Sequence, residues 1–211
     1  MVPSVPDVAD ATEDDITLYD RWCAGDAAAG HQLFERHFDS IYRFFETKFD
    51  SEADELVQAT FLACVRARDQ FRKQSSFRTY LFTIARHELY RVLRTRRRDL
   101  ERIDFEASSI AQLVTTPNTK IARNRDQQRL LEALRTLPVE QQTLLELHYW
   151  EGLDANELAE TFEVENATIR TRLHRARKAL RDKIEGSVEP GLLESLETMD
   201  AWARGAGPKP A

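Results

Sequence analysis

The residue types with the greatest capacity for chemistry in this chain are cationic, and they are concentrated. Between Asn166 and Lys183, Arg170, Arg172, Arg175, Arg177, Lys178 and Arg181 surround a helical repeat whose remaining face, Ile169, Leu173, Ala176, Leu180 and Ile184, is apolar. One side packs and the other offers positive charge to phosphate. A short amphipathic stretch with Leu158, Ala159 and Phe162, then the turn Glu163-Val164-Glu165, gives helix-turn-helix spacing. In that arrangement the start of the second helix lies near base edges, which suits Asn166, Thr168, Arg170, Thr171 and Arg172, while His174, Arg175 and Lys178 suit the flanking backbone. A merely solvated amphipathic helix would share the basic face but not the short helix and turn before it.

A second cationic cluster comprises Arg91, Arg94, Arg96, Arg97, Arg98 and Arg102. Just upstream lie Phe71, Arg72, Lys73, Gln74, Phe77, Tyr80 and His87, and single strands bind by stacking on aromatic rings inside a positive groove. Melted DNA is therefore a candidate ligand, although Phe71 and Phe77 serve equally well as core residues and both readings stay open. Asp54 and Glu55, with Gln58, form an acidic helix face. Adjacent helical residues do not face each other and no His is near, so this face suits solvent or a docked protein better than acid-base catalysis. His31, His37, His87, His148 and His174 lack metal-ligand spacing, and Cys23 and Cys64 read as separate buried thiols. No nucleotide-binding glycine loop or hydrolase signature occurs, so neither an enzyme nor a cofactor is indicated.

The elements that must position these groups are helical. The chain has 211 residues, 42% of them hydrophobic, with only 7 Gly and 7 Pro and no sustained strand alternation. The expected fold is all-α, with two small helical domains joined by a flexible linker. Residues 1–16 read as an acidic tail, and the first solid helix is expected from Asp26 with Leu33, Phe34, Phe38, Ile41, Tyr42 and Phe45 facing a core. A second helix from about Ser51 would turn Leu56, Val57, Phe61, Cys64 and Val65 inward. A third, through Phe77, Leu81, Ile84, Ala85, Leu89, Val92 and Leu93, runs into the arginines and completes a domain over 17–99. The Ser/Thr/Pro/Asn-rich stretch 100–124 reads as linker, 125–186 as the helix-turn-helix domain, and 187–211 as an extension with a short helix carrying Leu192, Leu193, Leu196, Met199 and Trp202. No apolar run approaches the ~20 residues that span a bilayer, and the acidic start is unlike a signal peptide, so a cytoplasmic location without membrane insertion is expected. The net charge of -6 argues against nucleic acid only until its distribution is considered.

Three stretches taken in order, Asp54-Glu55-Leu56-Val57-Gln58-Ala59-Thr60-Phe61, Ser76-Phe77-Arg78-Thr79-Tyr80-Leu81-Phe82-Thr83-Ile84-Ala85-Arg86 and Ala167-Thr168-Ile169-Arg170-Thr171-Arg172-Leu173-His174-Arg175-Ala176-Arg177, resemble the extracytoplasmic-function (ECF) group of the sigma-70 family. The resemblance covers about residues 17 to 185. It implies an alternative sigma factor with no cofactor. Asp54, Glu55 and Gln58, with Phe61, would dock on the β′ clamp helices of core RNA polymerase. Phe71, Arg72, Lys73, Ser76, Tyr80, Arg86, His87, Arg91 and Arg94 would take the melted minus-ten strand. The second domain would read the minus-thirty-five duplex and touch the β flap, and an anti-sigma factor or other regulator is a further expected partner. Tyr80 stands where the family commonly has Trp, Ala59 where an acid is frequent, and His87 and Arg91 where Asn and Asp are typical. In the turn Glu163 replaces the common glycine, where a side chain at positive φ is costly, and Ala167 replaces the glycine near the start of the second helix. Two other readings differ in class. A regulator that binds duplex DNA on its own would act without core polymerase, and a protein-only adaptor leaves the basic second helix unexplained.

Overall fold

The structure, a computed structural model, describes residues 13–49, 51–96, 103–114 and 125–184. These form nine α-helices with no strand beyond one isolated bridge between Ser109 and Pro138. The tail to residue 12, Arg97, Arg98, Arg102 and the 187–211 extension lie outside the described residues.

Helix α1 (Asp15–Cys23) precedes the first helix expected from periodicity. Asp14 starts it by accepting from the Thr17 amide at 2.9 Å, and Leu18, Tyr19 and Trp22 are buried. Three apolar residues among acids make too short a stripe to stand out in sequence. Cys23, at the last turn, is exposed rather than buried, whereas Cys64 is buried as expected. Helix α2 (Ala27–Glu46) is capped by Asp26, which accepts from the Ala28 and Ala29 amides. Gly30 lets α1 approach, because a Cβ there would lie 2.5 Å from Trp22 Cδ1. Helix α3 (Ala53–Arg66) buries Leu56, Val57 and Cys64, and helix α4 (Phe77–Arg96) buries Phe77, Leu81, Phe82, Ala85, Leu89 and Leu93. Val65, expected inside, is 45% exposed, because α3 has an apolar arc wider than its packed face.

Residues 103–114 are not a loose connector. They turn into α5 (Ile110–Leu113), the Ser108 carbonyl accepts from Val139 N at 2.8 Å, and the Phe105 carbonyl accepts from Glu140 N at 3.2 Å. Helix α6 (Arg125–Thr136) and α7 (Val139–Tyr149) are divided by Pro138, which cannot continue the first and starts the second. Helix α8 (Ala155–Phe162) has a reciprocal cap. Asp154 Oδ1 accepts from the Asn156 and Glu157 amides at 2.7 and 2.9 Å, and Glu157 Oε2 accepts from Asp154 N at 3.0 Å. Helix α9 (Asn166–Ile184) packs on α6, α7 and α8, and α8 in turn packs on α4, so the buried apolar residues of both halves form one continuous cluster.

Candidate nucleic-acid interface

The turn between α8 and α9 keeps a left-handed residue although no glycine is present: Glu163 has φ 57° and ψ 42°. The turn closes with Glu163 N donating to Glu160 O at 3.1 Å and Val164 N to Ala159 O at 3.0 Å. Burial of Ile169, Leu173, Ala176, Leu180 and Ile184 fixes the rotation of α9. Thr168, Arg170, Thr171, His174, Arg175 and Lys178 are consequently exposed together. Two further candidates are engaged inside the protein. Asn166 is half-buried and donates to Asn156 Oδ1 at 2.6 Å, while Arg172 pairs with Glu140 and, at 3.0 Å, with Glu106. Burial pushes the Glu140 carboxyl up, against the pull of Arg172. Arg177, counted on the basic face, instead turns toward His148 Nε2 at 2.8 Å and the Tyr149 hydroxyl at 3.2 Å.

The α4 candidates divide into two sets. Phe71 and Phe77 are buried, and Phe71 stacks on Tyr80 at 4.9 Å, so in this conformation both are core. The Tyr80 hydroxyl donates to Ala67 O at 2.9 Å, and burial pushes its pKa up to about 12. Arg72 and Lys73 are exposed, Lys73 at φ 56° with its ammonium on Asp20. Ser76, also exposed, caps α4 by accepting from the Thr79 amide at 3.1 Å. Of the remainder Arg86 is buried, whereas His87, Arg91 and Arg94 are exposed but have partners within the protein. Arg86 is 6% exposed, wedged between the Tyr90 and Phe162 rings at 5.3 and 5.2 Å, and donates to Glu163 Oε2 at 2.7 Å. His87 Nε2 is 3.0 Å from the same oxygen. Arg91 pairs with Glu88, and the Arg94 guanidinium lies 5.1 Å above Phe105, a ring that stacks on Tyr90 at 4.3 Å.

Further charge pairs join the halves. Lys48 is fully buried with its ammonium on Glu146 and 2.7 Å from Phe44 O. Burial lowers the Lys48 pKa, and the Glu146 carboxylate opposes that shift. Arg135 donates to the Lys48 carbonyl at 3.2 Å, and Glu151 accepts from Arg43 at 3.2 Å and Arg78 at 2.7 Å. These partners were not legible from periodicity, which reports faces and not which faces meet.

On α3, Asp54, Glu55 and Gln58 are exposed as expected. Phe61 is half-buried and stacks on Phe34 at 4.8 Å. Beside them the structure adds an apolar patch, of which sequence reasoning placed Phe38 and Val65 inside: Phe38 is 42% exposed, with Leu62 at 55% and Val65 at 45%. Among the described residues no group of three or more His, Cys, Asp or Glu is arranged to hold a metal, and no helix is long and apolar enough to cross a membrane.

A cationic helix-turn-helix face and an acid-bordered apolar face on a separate helical half define the sigma-70 class of transcription initiation proteins. The family models agree: Sigma-70 region 2 matches residues 33–99 and Sigma-70, region 4 matches residues 127–180. The ECF RNA polymerase sigma-E factor of Haemophilus influenzae is 26% identical over 181 residues, covering 81% of this chain and 95% of the relative. The ECF RNA polymerase sigma-E factor of Escherichia coli K12 is 27% identical over 180 residues, covering 81% and 94%. The chain belongs to the ECF group of the sigma-70 family and is an alternative sigma factor directing transcription initiation. Its fold is shared with CnrH, solved in complex with the cytosolic domain of CnrY (TM-score 0.58, 22% identity, 83% of this chain and 99% of that chain). It is shared also with the sigma factor RpoE of Bartonella quintana, solved in complex with the anti-sigma factor NepR (TM-score 0.58, 24% identity, 75% and 98%).

Proposed function

We propose that the two halves divide promoter recognition, residues 17–99 docking on polymerase and taking the melted minus-ten strand, and residues 125–186 reading the minus-thirty-five duplex. The observation that carries this reading is the exposed set Thr168, Arg170, Thr171, His174, Arg175 and Lys178 on α9, a polar and cationic face held outward by five buried apolar residues. Asn166 and Arg172 complete the duplex contact, Arg172 once its internal partners give way. Asp54, Glu55, Gln58 and Phe61, with Phe38, Leu62 and Val65 beside them, suit the clamp helices of β′, since an apolar centre with a charged rim is the anatomy of a protein interface. The β flap falls to the second half. The minus-ten strand takes Arg72, Lys73, Ser76 and Tyr80 at the exposed edge, then Arg86, His87, Arg91 and Arg94, with Phe71 supporting Tyr80 from behind. Unpairing costs a few kcal/mol per base, which stacking and charge offset without covalent chemistry from the sigma subunit. A regulator of anti-sigma type fits the same α2 and α3 patch, and the site of action is the cytoplasm.

The test is run-off transcription from a pool of genomic promoters by purified core polymerase, with and without the protein. New start sites that require the protein are expected. Their absence, combined with duplex binding indifferent to core polymerase, would replace this reading with that of a stand-alone regulator.

A further inference from the structure

Asn156 and Asn166 stand at the openings of the two helices that flank the turn, Asn156 as the second residue of α8 and Asn166 as the first of α9. Their side chains meet across that turn, with Asn166 Nδ2 donating to Asn156 Oδ1 at 2.6 Å. The Asn156 end is anchored, since its own backbone amide donates to Asp154 Oδ1 at 2.7 Å within the reciprocal cap of α8. The Asn166 side chain has no capping duty. Helix α9 starts instead with the Thr168 and Ile169 amides donating to the Glu165 carbonyl at 2.9 and 3.2 Å, and Asn166 Oδ1 accepts from no described residue.

A side-chain amide has two N–H donors and one acceptor oxygen, so the bond to Asn156 takes one donor and leaves the other N–H with Oδ1. An asparagine offering one donor and one acceptor matches adenine, which presents N7 and N6 to the major groove. The terminal torsion of an unheld asparagine is broad and two-fold, so the two groups are presented in either order; the bond to Asn156 fixes one of them. Charge points the same way. Glu160, Glu163 and Glu165 border the groove beside the two asparagines, and the exposed cations of α9 start a full turn later, at Arg170. Holding phosphate needs local positive charge, so a contact at Asn166 reads a base edge.

We propose that Asn156 is a positioning residue for base recognition: it holds the Asn166 amide with one N–H and Oδ1 free, and that pair selects adenine at one position of the minus-thirty-five duplex. This rests on the assignment of α9 to that duplex. Asn156 itself touches no base. It acts through Asn166, so its effect must vanish when Asn166 is gone.

The test uses holoenzyme assembled from core polymerase and the full chain, and a promoter duplex recovered by run-off transcription, with each minus-thirty-five base pair changed in turn to its three alternatives. Competition binding then gives the base preference at every pair. At one pair the unaltered protein is expected to prefer adenine by about tenfold, within the range of a bidentate contact. Asn166→Ala is expected to abolish that preference and no other. Asn156→Ala is expected to lower it by at least about twofold, since an amide free to take two orientations spends half its population in the wrong one. The double variant should match Asn166→Ala. Asn156→Asp keeps an acceptor oxygen of the same shape and should retain the preference, apart from a loss common to all sequences from the added charge. An Asn156→Ala protein whose affinity falls equally for every duplex would reduce the residue to a structural role, and an unchanged preference would show that Asn166 needs no holding. Absence of any adenine-selective pair, survival of the preference in Asn166→Ala, or effects that multiply in the double variant would also overturn the inference. Failure of the duplex assignment looks different: Arg170→Ala and Arg175→Ala would leave promoter affinity unchanged, and both readings would fall together.

Discussion

Replacing Glu146 by Leu should destabilise the protein by several kcal/mol, and replacing its partner as well should restore most of that loss. Lys48 has no solvent exposure, and its ammonium touches Glu146, Phe44 O at 2.7 Å, Thr47 Oγ1 at 3.2 Å and the Phe44 ring at 4.0 Å from its centroid. Without Glu146 the lysine keeps neutral acceptors and only the weaker influence of the Glu151 carboxylate. Breaking a buried pair from one side costs about 3–5 kcal/mol. Neutralisation caps the loss: deprotonating a lysine of ordinary pKa ~10.4 at pH 7 costs about 3.4 × 1.36, or about 4.6 kcal/mol. Removing Lys48 instead, as Lys48→Met, leaves Glu146 with Gln142 Nε2 at 2.8 Å. Protonating a glutamate of ordinary pKa ~4.3 limits that loss to about 2.7 × 1.36, or about 3.7 kcal/mol. In the double variant two apolar side chains of similar volume fill the space, and stability should return to within about 1 kcal/mol of the unaltered protein. Urea unfolding at pH 7 followed by far-ultraviolet circular dichroism gives all four free energies. Single losses below about 1 kcal/mol, or losses that add to within about 0.5 kcal/mol in the double variant, would refute the reasoning, since independent sites add to that tolerance.

Two other predictions concern the first half. Gly30→Ala places a Cβ 2.5 to 2.8 Å from the Trp22 ring, so α1 must shift, with an expected loss of about 1–3 kcal/mol and altered tryptophan fluorescence; an unchanged urea midpoint would show that α1 does not rest on α2 at that point. The two thiols should differ in a disulfide-exchange assay. Cys23 is exposed and should react at once, whereas Cys64 is buried, with desolvation pushing its thiol up to about 12, and should react only after unfolding. Equal rates in the native protein would contradict the packing of α3 on α4.

What could be seen in the sequence follows from how far each signal extends. Helix α9 was legible because its apolar line from Ile169 to Ile184 runs the whole length of the element, and burying it leaves the cations outside. Helix α1 was not, because Leu18, Tyr19 and Trp22 occupy barely one repeat and the Asp14 cap reads as part of an acidic run. Phe71 and Phe77 fitted both core and stacking roles because composition cannot show that Tyr80, Tyr19 and Phe77 surround Phe71. The 103–114 segment has linker composition, yet Phe105 stacks on Tyr90 beneath Arg94 and Ile110, Leu113 and Val114 are buried. Least legible were the charge pairs across the joint, Lys48 with Glu146 and Arg86 with Glu163, 98 and 77 residues apart in sequence. Their one trace was a glutamate where the family's turn has glycine.

The joint also bears on how an acidic chain carries two cationic surfaces. Ion pairs that remain partly open to water contribute little to stability, so the contacts of exposed Glu163 and Glu106 do not hold the halves together. Cohesion comes from the apolar packing of α8 on α4 and from the buried Lys48 and Glu146. The partly exposed carboxylates have a different consequence, because they decide what a phosphate must displace. Among the described residues Arg170, Arg175 and Lys178 of α9 meet no carboxylate, whereas Arg86, His87 and Arg91 of α4 each do. On the promoter assignment proposed above, α9 can meet a duplex as it stands, whereas a strand on α4 must displace Glu163 from Arg86 and His87.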